Sequence, residues 1–443
     1  MRRHRICLAL LTVPAILNAQ DTRTLELSLK RAVEIAISPE GSARVQLAGE
    51  AVKQAQSRSA QARAALLPDI ESSVSDQNMT RNLAALGVQF EVPIPGFQFP
   101  TMVGPFTVFD ARATATQNVF DFSSIRRYQA SRAGVRAARS EGNAAEDKVA
   151  AQVAKAYVAA LRSEADVEAA EANVQLAQAL LKQAEDVKAA GTGTGIEVTR
   201  ARVELSNEKQ RLLVAQNARR KAHLELARSM GIALDTDLVL TDKLAYVPVD
   251  HKTLAQATTE ALKARSDLRA QRQREDNARL SSSATRMERL PSLEGFADYG
   301  SIGSSINRAS PTRTYGLSLR VPIFDGGRRD ARRAEAASQF RQESIRTRDL
   351  QDQVQLEVRL ALDALGSADE QVQVARDGLT LAQDELAQAR RRYDAGVANG
   401  LEVTDAQTRL ARARDNEIEA LFNYNQARID LGQATGTIRS MIQ

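Results

Sequence analysis

The chain has 443 residues, 26% of them charged and only 4% aromatic, with no tryptophan. Bulky core-filling residues are scarce, which argues against one compact globular core; the abundant Ala, Gln, Arg and Glu suit long helices. Its 60 basic and 55 acidic residues give a formal charge of +5, but the charges are interspersed, so nucleic acid is not an expected partner.

In chain order, residues 1–19 read as a secretory signal. Arg2, Arg3 and Arg5 form a basic start, Ile6 to Leu17 is apolar, and Asn18-Ala19 is a small-residue cleavage site. That apolar stretch is too short to cross a bilayer as a helix, and no later run reaches the required length. Any membrane entry must therefore use strands. Without the three signal arginines, 57 basic residues face 55 acidic ones. The single cysteine, Cys7, lies inside the signal, so disulfide and thiol chemistry are not expected in the mature chain.

A helix is predicted over residues 41–67 and stops at Pro68. Its counterpart over 254–290 stops at Pro291. Proline ends each because it lacks an N–H and pushes its predecessor out of the helical region. Strand pairs follow, at about 69–122 and about 292–324. The cleanest strand is 314–324, where Tyr315, Leu317, Leu319, Val321 and Ile323 alternate with smaller or polar residues. The joining segment Thr80 to Phe106 is long and proline-bearing, while 303–312 is short. Each pair ends in a related signature, Val119-Phe120-Asp121 and Ile323-Phe324-Asp325, and Gly326-Gly327-Arg328 continues the second.

Long helices are predicted next, over about 123–190 and 328–395. Val354, Val358, Ala361, Leu365, Ala368, Val372, Ala375, Leu379, Ala382, Leu386, Ala389 and Tyr393 are spaced alternately four and three apart. This 3.5-residue period imposes a left-handed supercoil. The first copy shows the same seam, including Val149, Val153, Val167, Val174 and Ala177. At about 1.5 Å per residue, such a helix is roughly 100 Å long. Shorter helices, 196–230 and 401–435, complete each half.

The two halves are related. Residues 191–231 recur at 396–436 with a constant offset of 205: Gly195-Ile196-Glu197-Val198-Thr199 matches Gly400-Leu401-Glu402-Val403-Thr404. This is an internal two-fold repeat, residues 20–231 and 232–443, so each element is expected twice.

With that layout the chain resembles the TolC-like outer-membrane efflux channels over nearly all its mature length. The most specific matches are Val321-Pro322-Ile323-Phe324-Asp325-Gly326-Gly327-Arg328, and Arg392-Tyr393-Asp394-Ala395-Gly396 running on to Leu401-Glu402-Val403-Thr404-Asp405-Ala406. The resemblance implies a mainly α fold with membrane β structure. A long coiled-coil α-helical barrel would accompany four strands per chain, contributed to a shared trimeric 12-stranded β-barrel. It further implies a homotrimer in the cell outer membrane, in contact with its lipid, with the helical part in the periplasm. Such a duct would work with a periplasmic adaptor protein and an inner-membrane pump, in efflux or type I secretion, without catalytic residue, cofactor or metal. Four strands cannot close a barrel alone, since an open edge in lipid leaves backbone groups unpaired. The alternative is a periplasmic coiled-coil adaptor or structural protein that stays out of the membrane. An adaptor would carry a lipoyl-like or small barrel domain between its helices, where this chain has strand pairs.

The turns bounded by Gly191 and Gly195 and by Gly396 and Gly400 are expected at the periplasmic tips. Glu402 and Asp405 sit three apart at a helix start, where acids are favoured by the helix dipole. They also match positions that form acidic constriction rings in the resembled family, where they would attract cations. Glu197 keeps the counterpart of Glu402, but Arg200 replaces that of Asp405, with an acidic tip residue as its expected partner in the closed state. Tyr393 and Glu197 match a family latch, although Tyr393 also continues the seam. Pro322, Phe324, Asp325, Gly326 and Gly327 mark the expected barrel-to-helix junction. A phosphate-loop reading of Gly191-Thr192-Gly193-Thr194-Gly195 fails, because the motif follows a helix and lacks the Lys-Ser/Thr pair. His223 and His251 have no metal-ligand pattern and read as surface residues.

Overall fold

A computed structural model describes residues 24–87, 101–191, 193–249, 253–398 and 400–442. The expected signal and most of the 88–106 segment lie outside them. Elements of the first half are β1 (Thr24–Leu27), α1 (Leu29–Ile37), α2 (Ala43–Ala64), β2 (Asp69–Asn82), β3 (Met102–Phe120), α3 (Phe122–Ala189) and α4 (Gly195–Met230). Those of the second are β4 (Asp237–Leu240), α5 (Leu254–Ala264), α6 (Ser266–Met287), β5 (Ser292–Gly303), β6 (Ser310–Arg320), α7 (Arg328–Asp394), α8 (Gly400–Thr435) and α9 (Ile438–Ile442). The helices α3 and α7 have 68 and 67 residues. Every seam position named above on α7, from Val354 to Tyr393, is buried or half-buried.

The chain divides into two compact units. One holds the chain up to Ala36, Gln152–Val247 and Gln371–Gln426; the other holds Ile37–Ala151, Pro248–Glu370 and Ala427–Gln443.

In the first unit, β1 pairs with β4 in parallel, from Thr24↔Asp237 to Leu27↔Leu240. Four-residue strands more than 200 positions apart leave no periodic signal, so this pair escapes sequence reading, as does α1. Tyr157 of α3 is fully buried and fastens the pair. Its single O–H is shared between Leu27 O at 2.9 Å and Asp242 Oδ2 at 2.8 Å, and Asp242 Oδ2 also accepts the Leu29 N–H at 2.8 Å. Burial, then the Asp242 hydrogen bond, push the phenol well above its ordinary pKa, so it stays a donor. Tyr157→Phe is expected to cost about 1–2 kcal/mol, read as a lower thermal midpoint with helical content unchanged.

The second unit carries one antiparallel sheet in the order β2-β3-β5-β6. Cross-strand partners share a face. The row Ile70, Ala115, Ala297, Tyr315 is apolar, whereas the adjacent row Glu71, Thr114, Asp298, Thr314 is polar. On the apolar face Tyr315 is 80% and Leu317 70% exposed. On the polar face Arg112 pairs with Asp110 at 2.7 Å and with Asp298 at 3.5 Å. An added Cβ at Gly316 would lie 2.9 Å from the Phe296 ring, so the glycine makes room for that aromatic. Among the described residues β2 and β6 are each paired on one side only.

Three expectations need correction. The last strand ends at Arg320, not 324, and its final pair is Ser292↔Arg320. Val321 precedes Pro322, which has no N–H for a ladder, and Ile323 and Phe324 are exposed outside the sheet. The segment 80–106 is shorter as a loop than expected, because β2 runs to Asn82 and β3 starts at Met102. The helix expected over 254–290 is two helices, α5 and α6, broken at Arg265 with ψ 122. That extended residue turns its buried guanidinium onto Asp267 at 2.7 Å, onto Glu357 of α7, and onto Ala434 O of α8 at 3.4 Å. Behind the break α8 ends at Gly436, with φ +74, where a Cβ would sit 2.9 Å from Arg265 N. Close by, Ala257, Ala261, Val354, Val358, Ala361, Leu431 and Ala434 form one apolar cluster.

Candidate functional site

The tips are built by matching helix ends. After α7 the Gly396 N–H reaches Tyr393 O at 2.9 Å and the Val397 N–H reaches Arg392 O at 3.0 Å, with Gly396 at φ +73. This pairing satisfies the last carbonyls and needs a left-handed residue, hence glycine. Gly191 does the same after α3, at φ +80, with its N–H on Lys188 O at 3.0 Å. Across the turn Glu197 reaches back to the Thr194 N–H at 3.2 Å, which caps α4. Gly195 and Gly400 are the first residues of α4 and α8.

Beneath the tips Ala382, Leu386 and Ala389 of α7 meet Val403, Ala406 and Leu410 of α8, with Tyr393 packed against them. The seam role of Tyr393 is thus visible. A Cβ added at Gly400 would lie 3.8 Å from Tyr393 Cε2 and 3.9 Å from Glu197 Oε1, so ring and carboxylate border one small gap. Burial, then the charges of Glu197 and Asp394, raise the Tyr393 pKa and keep its hydroxyl a donor.

Both expected gate acids are held by arginines. Arg392 Nε lies 3.1 Å from Glu402, and Arg409 lies 2.6 Å from Asp405 and 2.5 Å from Glu385. The pairing of Arg392 and of Arg409 with these acids escaped sequence reading. The second had a signal, an acid four residues before a base on one helix. The first reaches across a turn and had none. Arg200 is exposed. It lines a cavity of about 350 Å³ together with Glu197, Glu204, Tyr393, Leu401 and Thr404.

At the expected junction Gly326 and Gly327 have φ +68 and +85, and Asp325 Oδ2 accepts the Arg329 N–H at 3.1 Å to start α7. In the first half Asp121 plays that part, accepting from Ser123 N at 2.9 Å and Ser124 Oγ at 2.5 Å. The Pro322 ring bars strand pairing, and Phe324 is exposed.

Among the described residues no group of His, Cys, Asp and Glu is arranged to hold a metal ion. His223 is not the surface residue expected: its side chain is 20% exposed and its Nε2 lies 3.3 Å from Glu164. Burial lowers its pKa against the pull of Glu164. His251 lies outside the described residues. Also among the described residues, no helix is long and apolar enough to cross a membrane.

Residues 40–232 and 257–437 match the family model for outer membrane efflux proteins. The chain belongs to that family. It is 26% identical over 391 residues to the pyoverdine export outer membrane protein OpmQ of Pseudomonas putida, covering 87% of this chain and 81% of that one. It is 24% identical over 319 residues to the alkaline protease secretion protein AprF of Pseudomonas aeruginosa, covering 70% and 65%. The Campylobacter jejuni CmeC outer membrane channel has a similar fold, with a TM-score of 0.76 at 17% identity over 92% of this chain and 85% of that one. Members of the family are channels rather than enzymes. This chain is an outer-membrane efflux or secretion channel protein with a TolC-like fold, and its location is the cell outer membrane.

Proposed function

We propose that three copies of the chain close one duct, each giving its four strands to a shared 12-stranded barrel. The supporting observation is the sheet itself: one face apolar, the other polar, and an unpaired edge at β2 and at β6. In lipid, unpaired backbone costs several kcal/mol per group, so such edges must meet other edges. The 12 residues of β5 and 11 of β6 suit the about 9–11 that a tilted strand needs to cross. In this reading the two halves are copies of one ancestral unit, residues 20–231 and 232–443. Helices α3, α4, α7 and α8 line the periplasmic passage, and the tips at Gly191–Gly195 and Gly396–Gly400 form its mouth. Glu402, Asp405, Glu197, Arg200 and Tyr393 set the gate there, and Pro322 to Gly327 join barrel to helix. The duct is passive and receives cargo from an inner-membrane pump through a periplasmic adaptor. Relatives named for pyoverdine export and for protease secretion suggest that the cargo is chosen by the pump.

The adaptor alternative has no use for an exposed apolar sheet face. Cell fractionation decides between them. The expected result is an outer-membrane trimer that falls to a monomer only on heating in detergent. Recovery as a soluble periplasmic monomer would end the channel reading.

A further inference from the structure

The two edge strands of the membrane sheet carry opposite charges. Both charged residues of β6, Arg313 and Arg320, are basic. Up to the bulge after Met79, the charged residues of β2 are Asp69, Glu71 and Asp76, all acidic. They also divide between the two faces in the same way. Opposed residues share a face and neighbours alternate, so the register puts Asp76 on the apolar face with Ile70, and Arg313 there with Tyr315. Up to that bulge, and among the described residues, Asp76 and Arg313 are the only charges on the apolar face, and both are exposed. Asp69 and Arg320 lie on the polar face, Arg320 with Glu294 at 3.6 Å.

Arg313 and Arg320 are seven positions apart, and so are Asp69 and Asp76. In a shared barrel β6 of one copy meets β2 of the next, antiparallel. A single register then sets Arg320 opposite Asp69 on the polar face and Arg313 opposite Asp76 on the apolar face. It also sets Leu319 opposite Ile70 and Tyr315 opposite Val74. All 11 residues of β6 take part, and the last of them reaches Met79, where the β2–β3 register shifts. A slip of one residue turns every side chain to the wrong face. A slip of two in one direction sets Arg313 opposite Val74 and leaves no opposed charges. In the other direction it keeps a pair, Arg320 with Glu71, but sets Arg313 opposite Asn78 and Tyr315 opposite Asp76.

We propose that copies of the chain join through β6 and the next copy's β2 in this one register, fixed by the pairs Arg320–Asp69 and Arg313–Asp76. The inference rests on the shared-barrel reading and names the contact that builds it. Such pairs are weak as glue, but a lone charge facing lipid is costly, so they select against slipped seams. The barrel geometry agrees. Opposed residues run from Asp69 through Thr116 and Phe296 to Gly316, and in this register on to Ser73 of the next copy. Each copy thus advances about four residues. At about 3.3 Å per residue and about 4.8 Å between strands, this tilts the strands by about 35°, against about 35–45° for such barrels. The first slipped register would give about 19° and the second about 46°.

Disulfide crosslinking in outer membranes tests the register, since Cys7 lies in the expected signal and leaves introduced thiols without competitors. Ser72→Cys with Leu317→Cys, and Ser75→Cys with Thr314→Cys, each oppose two thiols across the seam. Within one chain β3 and β5 stand between them. The expected result for at least one of these variants is a covalent trimer on denaturing gels that reductant dissolves. Val74→Cys with Leu317→Cys is diagonal in this register and should yield roughly tenfold less. The charge pair has its own readout: Asp76→Arg should lower the temperature at which the trimer dissociates by several degrees, and adding Arg313→Asp should restore most of it. A trimer in which neither opposed variant crosslinks, or in which the diagonal one crosslinks better, overturns the register and leaves the shared barrel standing. Absence of rescue by the charge swap overturns the Arg313–Asp76 pair. A protein that forms no trimer overturns both the register and the reading beneath it.

Discussion

Replacing Arg265 by alanine is expected to destabilise the protein by about 3–5 kcal/mol, the usual loss when one partner of a buried pair is removed. The Arg265 side chain is 10% exposed, and it is the hub on which Asp267, Glu357 and Ala434 O converge. Its removal leaves Asp267 in a poorly hydrated site without its main partner. Because Glu357 remains 36% exposed and regains water, the loss should fall toward the lower end. The pH dependence should change as well. Burial pushes the Asp267 carboxyl up, but the hydrogen bonds and charge of Arg265, the Leu268 N–H and the charge of Lys148 outweigh it, so its pKa lies below the ordinary value. A depressed folded pKa contributes stability that is present above the ordinary value and lost as pH falls through the folded one. In Arg265→Ala burial acts unopposed by the guanidinium, so the acid-side loss should shrink. Thermal and chemical unfolding at neutral and acid pH check both points. An unchanged midpoint would mean that the break at residue 265 is tolerated without its ion pairs.

Neutralising the tip acids together, with Glu402→Gln and Asp405→Asn, is expected to lower the preference for cations several-fold in planar bilayers. At about 8 Å in water one carboxylate attracts a monovalent cation by about 0.5 kcal/mol. Six in a trimer would give about 3 kcal/mol, before the arginines take their share, and 1.4 kcal/mol is already tenfold. That share is large here, since Arg392 and Arg409 stand at 3.1 and 2.6 Å from the two acids. The opposite change follows from it: Arg392→Gln removes one positive neighbour of Glu402 and should strengthen the cation preference, most visibly at low salt, where screening is weak. If the double acid variant alters neither conductance nor ion preference, Glu402 and Asp405 are ordinary first-turn acids and the gate reading fails at these residues.

The long helices were legible because one face repeats every 3.5 residues for many turns, and local sequence alone carries such a period. The tip glycines were legible for a similar reason: a helix that must reverse needs a left-handed residue at its end. Arg265 shows the opposite case. Neither glycine nor proline breaks the helix there; beside the local Asp267, the extended Arg265 is held by Glu357 and Ala434 from elsewhere in the chain. Arg392 beside Glu402 belongs to the same class. Both depend on which side of a helix meets its neighbour, and a helix rich in Ala, Gln, Arg and Glu on all sides gives little hint of that.

Taken by itself, the sequence determined the element types, their doubled order and the buried 3.5-residue seam, because these follow from short-range periodicity and turn chemistry. The tertiary structure alone decided the β1–β4 pairing held by Tyr157, the strand ends, the Arg265 break and charge pairs that reach between elements, such as Arg392 with Glu402. Those outcomes depend on contacts between residues far apart in the chain, where one buried partner outweighs any local preference.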